Sequence, residues 1–494
     1  MRNNRTLICI LMAALLSCGT ALTACGASPT ATPAQTDPTP AGTTADTAAP
    51  AETERTYQNL ADTDFGGETV TFLLRQTPDD WSADDVVVDE TDGTPINDAV
   101  YARNAQVEED FNVKIVGVNA PTGHSVYTPA YNSIMAGDNA YDVIVGYRYD
   151  GDKLMLDNTL IDLNTTPHLQ LDEPWWNPFY NEGTSFMNRQ YYALGDISRV
   201  YKLGVRCLFF NKDLAAQLDM ENLYDAVRNN EWTVDKMFTL ASQAVADLNG
   251  DGLMNENDRY GIQAQTSLPN MLAFASDVQI SDKDENDIPI LVLNSDRNIS
   301  ILDGVSAFYD TYEKTIYECN EWAVTQTRFS ENLALFQAEV MLLIEALRAS
   351  EVNIGILPMP KYDSSQENYI SFLDSWCQNV YAIPVTCEKT DAVSFTLEAM
   401  AQASVDTLST AFYDVCLTGK YVRDNESEEM LDIIFANCRS ESAESVGWGD
   451  ILTNLRTSIE KGNVASIVAA KMKSTQKALD NTVSRMKENI ESAE

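Results

Sequence analysis

Histidine is nearly absent: the 494-residue chain holds two, His124 and His168. Mechanisms built on an imidazole base, a serine–histidine pair or a histidine-rich metal site are therefore short of parts. Basic residues are scarce too, with 33 Lys and Arg against 74 Asp and Glu, for a formal net charge of −41. A phosphate backbone needs a basic face, so nucleic acid is excluded as a partner, and an anionic bilayer is repelled for the same reason. Also missing are His-Glu-x-x-His, Cys-x-x-Cys, Gly-x-Ser-x-Gly, the P-loop and the dinucleotide glycine fingerprint. Both histidines stand near prolines in loop-like stretches without metal spacing and read as surface residues. Apolar material is not missing. A hydrophobic share of 44% with 9% aromatics is too rich for disorder, and the length allows roughly two to four domains' worth of chain.

Residues 1–24 carry Arg2 and Arg5, no acid, and an apolar run from Leu7 to Ala24, the pattern of a secretory signal peptide. Leu22-Thr23-Ala24-Cys25 matches the lipobox of bacterial lipoproteins, in which the cysteine becomes the lipid-bearing N-terminus. Residues 26–56 contain no aromatic and no Val, Ile, Leu or Met, so they cannot bury a core. With five prolines they read as a disordered Thr/Pro/Ala tether of 25–56, reaching at most ~90 Å at about 3.1 Å per residue. No later segment has 18 uninterrupted apolar residues.

From about Tyr57 the chain alternates strands and helices. Val70, Phe72 and Leu74 mark a strand ending at Arg75, and a helix follows from about Asn97 with Val100, Val107 and Phe111 on one face. Val113–Val116 is a second strand, Tyr127–Met135 a helix, and Tyr141–Val145 a short buried strand ending at Gly146-Tyr147-Arg148. This alternation predicts an α/β fold with mainly parallel sheets and a ligand site at the carboxyl ends of strands. Met472, Leu479, Val483, Met486 and Ile490 form one apolar stripe of a long terminal helix, expected to pack into the core.

The sharpest local motif is the loop 247–258. Asp247, Asn249, Asp251, Asn255 and Asp258 fall at positions 1, 3, 5, 9 and 12, Gly252 at position 6, and Leu253 offers its carbonyl at position 7. That spacing wraps hard oxygens around a Ca²⁺ ion, here a single structural one; Asp in place of Glu at position 12 leaves bidentate ligation open. Six cysteines follow Cys25, at 207, 319, 377, 387, 416 and 438. They read mostly as buried thiols, with Cys377 and Cys387 as the pair to test for a disulfide.

Several phrases, in order, resemble the family 1 extracellular solute-binding proteins. They are the lipobox, Gly137-Asp138 before Tyr141-Asp142-Val143, and Tyr191-Tyr192-Ala193-Leu194-Gly195-Asp196. Phe209-Phe210-Asn211-Lys212-Asp213-Leu214, Glu231-Trp232-Thr233 and Gly355-Ile356-Leu357-Pro358-Met359-Pro360-Lys361 continue the series. The resemblance implies a lipid-anchored receptor of an ABC importer, at Cys25 on the outer face of the cytoplasmic membrane. It would be monomeric, bind an oligosaccharide without covalent catalysis, and meet the permease subunits. Alginate-oligosaccharide receptors of this kind carry a similar calcium loop. The implied fold is a two-lobed, periplasmic-binding-protein-like class II hinged clamp. Its lobes are discontinuous: 57–200 with 344–385, and 201–343 with 386–494.

Sugar sites need flat apolar rings against pyranose faces and planar polar groups for hydroxyls. By this analogy the expected ligand residues are Trp376 first, then Trp81, Tyr147, Arg148, Asp196, Arg199, Glu345, Arg348 and Trp448. Trp175-Trp176 reads more readily as structural, and Trp232 as packing against the helix that opens at Thr233. A peptide or other solute receptor of the same fold, a secreted carbohydrate-active enzyme and a surface scaffold module remain as rival readings.

Overall fold

In the computed structural model the residues described are 56–75, 83–121, 123–265, 267–347, 350–418 and 425–493. The leader, Cys25, most of the tether, Trp81 and Arg348 lie outside them. Val70, Phe72 and Leu74 alternate as expected and form β1 (Glu68–Leu74), entered through Gly66 and Gly67 at positive φ. The helix Pro95–Phe111 buries Val100, Arg103, Asn104, Val107 and Phe111, spaced 3, 1, 3 and 4, as one helical face must be. It delivers the chain to β2 (Val113–Asn119), parallel to β1 from Glu68 opposite Val113 to Leu74 opposite Asn119. β3 (Val143–Gly146) lies parallel on the other side of β1.

The chain then builds a second sheet from β4 (Arg206–Asn211) and β5 (Tyr260–Ala264), with a hairpin of β6 (Ser281–Lys283) and β7 (Pro289–Leu291) standing apart. β8 (Ile316–Glu318), β9 (Ala334–Val340) and β10 (Ile354–Leu357) complete five strands in the order β10-β4-β9-β5-β8. β11 (Ser371–Phe372) pairs with a late strand at 438–439, and β12 (Val380–Ala382) returns to the first sheet, giving β12-β3-β1-β2. Both sheets are mixed, with parallel pairs the more numerous, β1 with β2 and β3, and β5 with β8 and β9. β12 runs antiparallel to β3, and β4 runs antiparallel to β9 and β10.

The expected segment boundaries need two corrections. β10, placed in the first lobe by 344–385, pairs with β4 of the second sheet. Gly355 permits it, because a Cβ there would sit 2.1 Å from the Phe210 ring. The helix Thr390–Ser404, placed in the second lobe by 386–494, instead packs on the helix Pro95–Phe111 and on β1. Its Phe395 meets Phe111 at 4.7 Å and Phe65 at 5.1 Å, and every residue from Ala392 to Ser404 is buried. Apolar contact with the first sheet, not sequence order, decides where this helix belongs.

Glu398 on that helix explains the double tryptophan. Its Oε1 accepts the indole N–H of Trp175 at 2.7 Å, its Oε2 that of Trp176 at 2.8 Å, and Gln170 and Gln402 donate to it as well. Both rings are structural, as read from the sequence. Gly195 closes against them, with no room for a Cβ beside the Trp175 carbonyl. Trp232 is also packed as expected, fully buried and donating to the Pro358 carbonyl at 2.9 Å. The terminal helix Val464–Ala493 buries Leu479 and Met486 of the predicted stripe. Glu398→Ala would strand two buried indole donors and is expected to lower stability by about 3–5 kcal/mol in urea unfolding. A change below about 1 kcal/mol would show that the carboxylate does not organise this core.

Candidate functional site

The carboxyl ends of β1 and β3 and the turn before β12 meet at one place. Gly146 ends β3 and leads to Tyr147, the N-cap of the helix Arg148–Leu156. From the other side comes the turn Asp374-Ser375-Trp376-Cys377. Its Asp374 accepts the Trp376 backbone N–H at 3.0 Å through Oδ1 and pairs with Arg206 at 2.5 Å through Oδ2. Arg206 also holds Glu339 of β9 at 2.6 Å. Gly204 lies under the turn, where a Cβ would come within 2.3 Å of the Cys377 carbonyl. The turn cannot move without breaking these contacts. It presents Trp376, 56% exposed, with Tyr149 at 4.6 Å and Tyr147 at 5.7 Å between ring centroids. Two tyrosine rings beside a largely open indole form a platform for the flat face of a ligand.

Of the other expected ligand residues, Trp81 and Arg348 lie outside the described residues; the structure gathers Tyr147 with Trp376 and engages Arg148, Asp196, Arg199, Glu345 and Trp448 elsewhere. Arg148 is fully buried: Nη1 donates to Ser440 Oγ and Nη2 to Ser442 Oγ, both at 2.7 Å, and Nε faces Asp152 at 3.5 Å. It is a tie between distant segments, a correction to its expected role. Arg199 pairs with Asp85 at 2.9 Å and with Glu345 at 2.6 Å, while Asp196 accepts from Lys202 at 2.7 Å and from the Tyr201 hydroxyl at 3.0 Å. Asp196, Arg199 and Glu345 are thus spent on ion pairs at the crossovers. Trp448 is a further correction. Gly447 and Gly449, both at positive φ, turn its ring into the core, where its N–H is donated to Thr482 at 3.1 Å.

Three residues near the platform were not singled out in the sequence. Tyr149 lies two positions after Tyr147, and Arg75 stands at the predicted strand end. Glu444 carries no local signal at all. It accepts the Ser375 backbone N–H at 3.2 Å, and burial together with nearby Asp374 pushes its carboxyl up to about 8.

Solved structures share the overall fold. A cyclo/maltodextrin-binding protein complexed with maltotetraose matches over 86% of this chain and 97% of its own, at 13% identity and a TM-score of 0.53. An ABC substrate-binding protein from Listeria monocytogenes in complex with cycloalternan matches over 86% and 99%, at 13% identity and 0.50. CpMnBP1 with mannotriose bound matches over 85% and 100%, at 15% identity and 0.50. The fold is that of the two-lobed sugar-binding receptors. No protein-family model matches the sequence, and no curated protein matches it.

Within this receptor fold the loop 247–258 is a closed set of turns. Asp247 accepts the backbone N–H of Gly250 and Gly252, both at 2.7 Å, and this draws its carboxyl below the usual range. Asn249 and Asp251 each accept the N–H two residues on, and buried Asp258 accepts those of Leu248 and Asn255. The donors are all oxygen, which suits Ca²⁺. Among the described residues, however, no three His, Cys, Asp or Glu side chains converge where a metal could sit. Cys377 and Cys387 are free thiols, so the pair picked for testing is not a disulfide. His168 contacts Asp391 at 2.9 Å at the surface. No helix among the described residues is long and apolar enough to cross a membrane.

Two predictions follow from the platform and its surroundings. Trp448→Ala should cost about 3–5 kcal/mol of stability by emptying a core site, whereas exposed Trp376→Ala should stay within about ±0.5 kcal/mol. Equal losses in denaturant titrations would contradict the assignment of one ring to the core and the other to the surface. For Glu444 the folded protein holds a proton that the unfolded chain releases near pH 4.5, so stability falls as pH rises from there toward about 8. Glu444→Gln should therefore stabilise the protein at pH 8 and not at pH 4. A melting-temperature difference that does not grow with pH would show that Glu444 is ordinarily ionised.

Proposed function

We propose that the protein is the solute receptor of an ABC importer and binds an oligosaccharide between its lobes, with a pyranose face on Trp376 and its edge near Tyr147 and Tyr149. One observation carries this reading: a more than half-exposed indole, held rigidly by buried ion pairs, at the carboxyl ends of β1 and β3. An exposed indole flanked by two further rings offers the flat apolar face on which a pyranose can stack. Ligand contact with both lobes would favour the closed form, which the permease subunits would read. No covalent step is needed, in keeping with the scarcity of histidine.

The same reading places the protein at the cell surface, held at the outer face of the cytoplasmic membrane by a lipid on Cys25. The lipobox and the core-less tether of the sequence support it. It also assigns the loop 247–258 a structural Ca²⁺ through Asp247, Asn249, Asp251, Asn255, Asp258 and the Leu253 carbonyl. In support, positive-φ Gly250 and Gly252 let the chain curl around the Asp247 carboxylate.

Thermal-shift screening against neutral and acidic oligosaccharides should give stabilisation by at least one glycan, and Trp376→Ala should weaken that binding at least tenfold, about 1.4 kcal/mol. Stabilisation by a peptide library but by no glycan would replace the sugar reading with a peptide one. Calcium should raise the melting temperature, and EGTA should reverse the effect. An unchanged melt, or the same shift in Asp247→Asn, would remove the ion.

A further inference from the structure

Arg75 follows β1 beside the platform, and among the described residues it pairs with no carboxylate. It is 3% exposed. Among the described residues its hydrogen bonding is a single contact, Nη2 to Asn379 Oδ1 at 2.8 Å, and Nε has no acceptor. The guanidinium carbon lies 3.6 Å from the centroid of Tyr147, the ring that meets Trp376. Arg199 and Arg206 each hold two carboxylates, and Arg103 places all three nitrogens on oxygens. Arg328 also lacks a carboxylate, but it is boxed between Tyr260 and Tyr317, away from any exposed ring.

Asp150 is a carboxylate whose field reaches Arg75. Its oxygens are already engaged, accepting from Ser125 Oγ at 2.5 Å and from the Val126 N–H at 3.2 Å, and burial pushes its carboxyl up. It is a poor counter-ion. Burying a guanidinium beside a ligand platform without a partner is costly unless the ligand brings the partner. A planar fork with open donors matches a carboxylate in two parallel hydrogen bonds.

We propose that Arg75 receives the carboxylate of an acidic sugar whose ring lies against Trp376, making the ligand a uronic-acid oligosaccharide; this rests on the oligosaccharide reading above. The overall charge of −41 does not oppose it. Surface charges are screened over about 8 Å at physiological salt, and a contact pair inside the cleft is not.

The test is calorimetric titration of the purified protein with tetrasaccharides of galacturonate, glucuronate, mannuronate and guluronate, each beside its carboxyl-reduced neutral form. At least one acidic member should bind at least tenfold more tightly than its reduced form. Arg75→Met should bring that ratio within about twofold without lowering the melting temperature, since an unmatched buried charge is being replaced by an apolar chain. Arg75→Lys, which keeps the charge and loses the fork, should restore part of the preference. Equal binding of acidic and neutral forms, or an unchanged ratio in Arg75→Met, would overturn the proposal while leaving a sugar receptor. A large drop in melting temperature in both variants would make Arg75 structural and overturn it too. If no glycan binds, acidic or neutral, the receptor reading itself fails, and this inference goes with it.

Discussion

Arg206 holds two carboxylates from distant parts of the chain, Glu339 on β9 and Asp374 in the turn before β12. Burial pushes the Glu339 carboxyl up, and the adjacent guanidinium and the Val340 backbone N–H offset part of that cost. Through Asp374 the pair fixes the turn that carries Trp376, and through β4 and β9 it fixes the turn to the second sheet. The platform is therefore built on a buried ion network and does not depend on a loose loop. Arg148 repeats the device one layer away, binding Ser440 and Ser442 from the C-terminal third of the chain to the helix that follows Tyr147. Each tie joins segments far apart in sequence, which a hinged clamp requires and which local signals do not announce.

What could be read in advance follows that division. β1, β2 and β3 were legible because alternation of apolar residues is a local property, and the stripe through Leu479 and Met486 because helical spacing is. Segment membership was not legible. The helix Thr390–Ser404 is apolar enough to pack on either sheet, and its place depends on Phe395 finding Phe65 and Phe111 more than 280 residues earlier. Trp376 could be picked because it precedes a returning strand. Trp448 could not be told from it, since flanking glycines permit exposure and burial equally. Arg148, Arg199 and Glu345 looked like ligand groups because they are charged residues at strand ends and crossovers. Their partners Ser440, Asp85 and each other are set by tertiary contact. Arg75 was visible as a strand end, but that it pairs with no carboxylate among the described residues is a fact of the folded state only.

The scarcity of histidine agrees with the receptor reading proposed above. A receptor that works by lobe closure needs rigid surfaces, a few placed donors and an equilibrium between open and closed forms; it needs no group titrating near neutrality to move protons. The acidic excess, in turn, is largely kept away from the platform or matched. Asp374 and Glu339 share Arg206, Asp85 and Glu345 share Arg199, and Asp196 pairs with Lys202.

The most direct measurement is the position of an oligosaccharide in a crystal of the protein grown with a stabilising glycan. The account predicts a pyranose face within stacking distance of the Trp376 indole, with Tyr147 and Tyr149 at its edge. A sugar seated elsewhere, with Trp376 still bare to solvent, would contradict it.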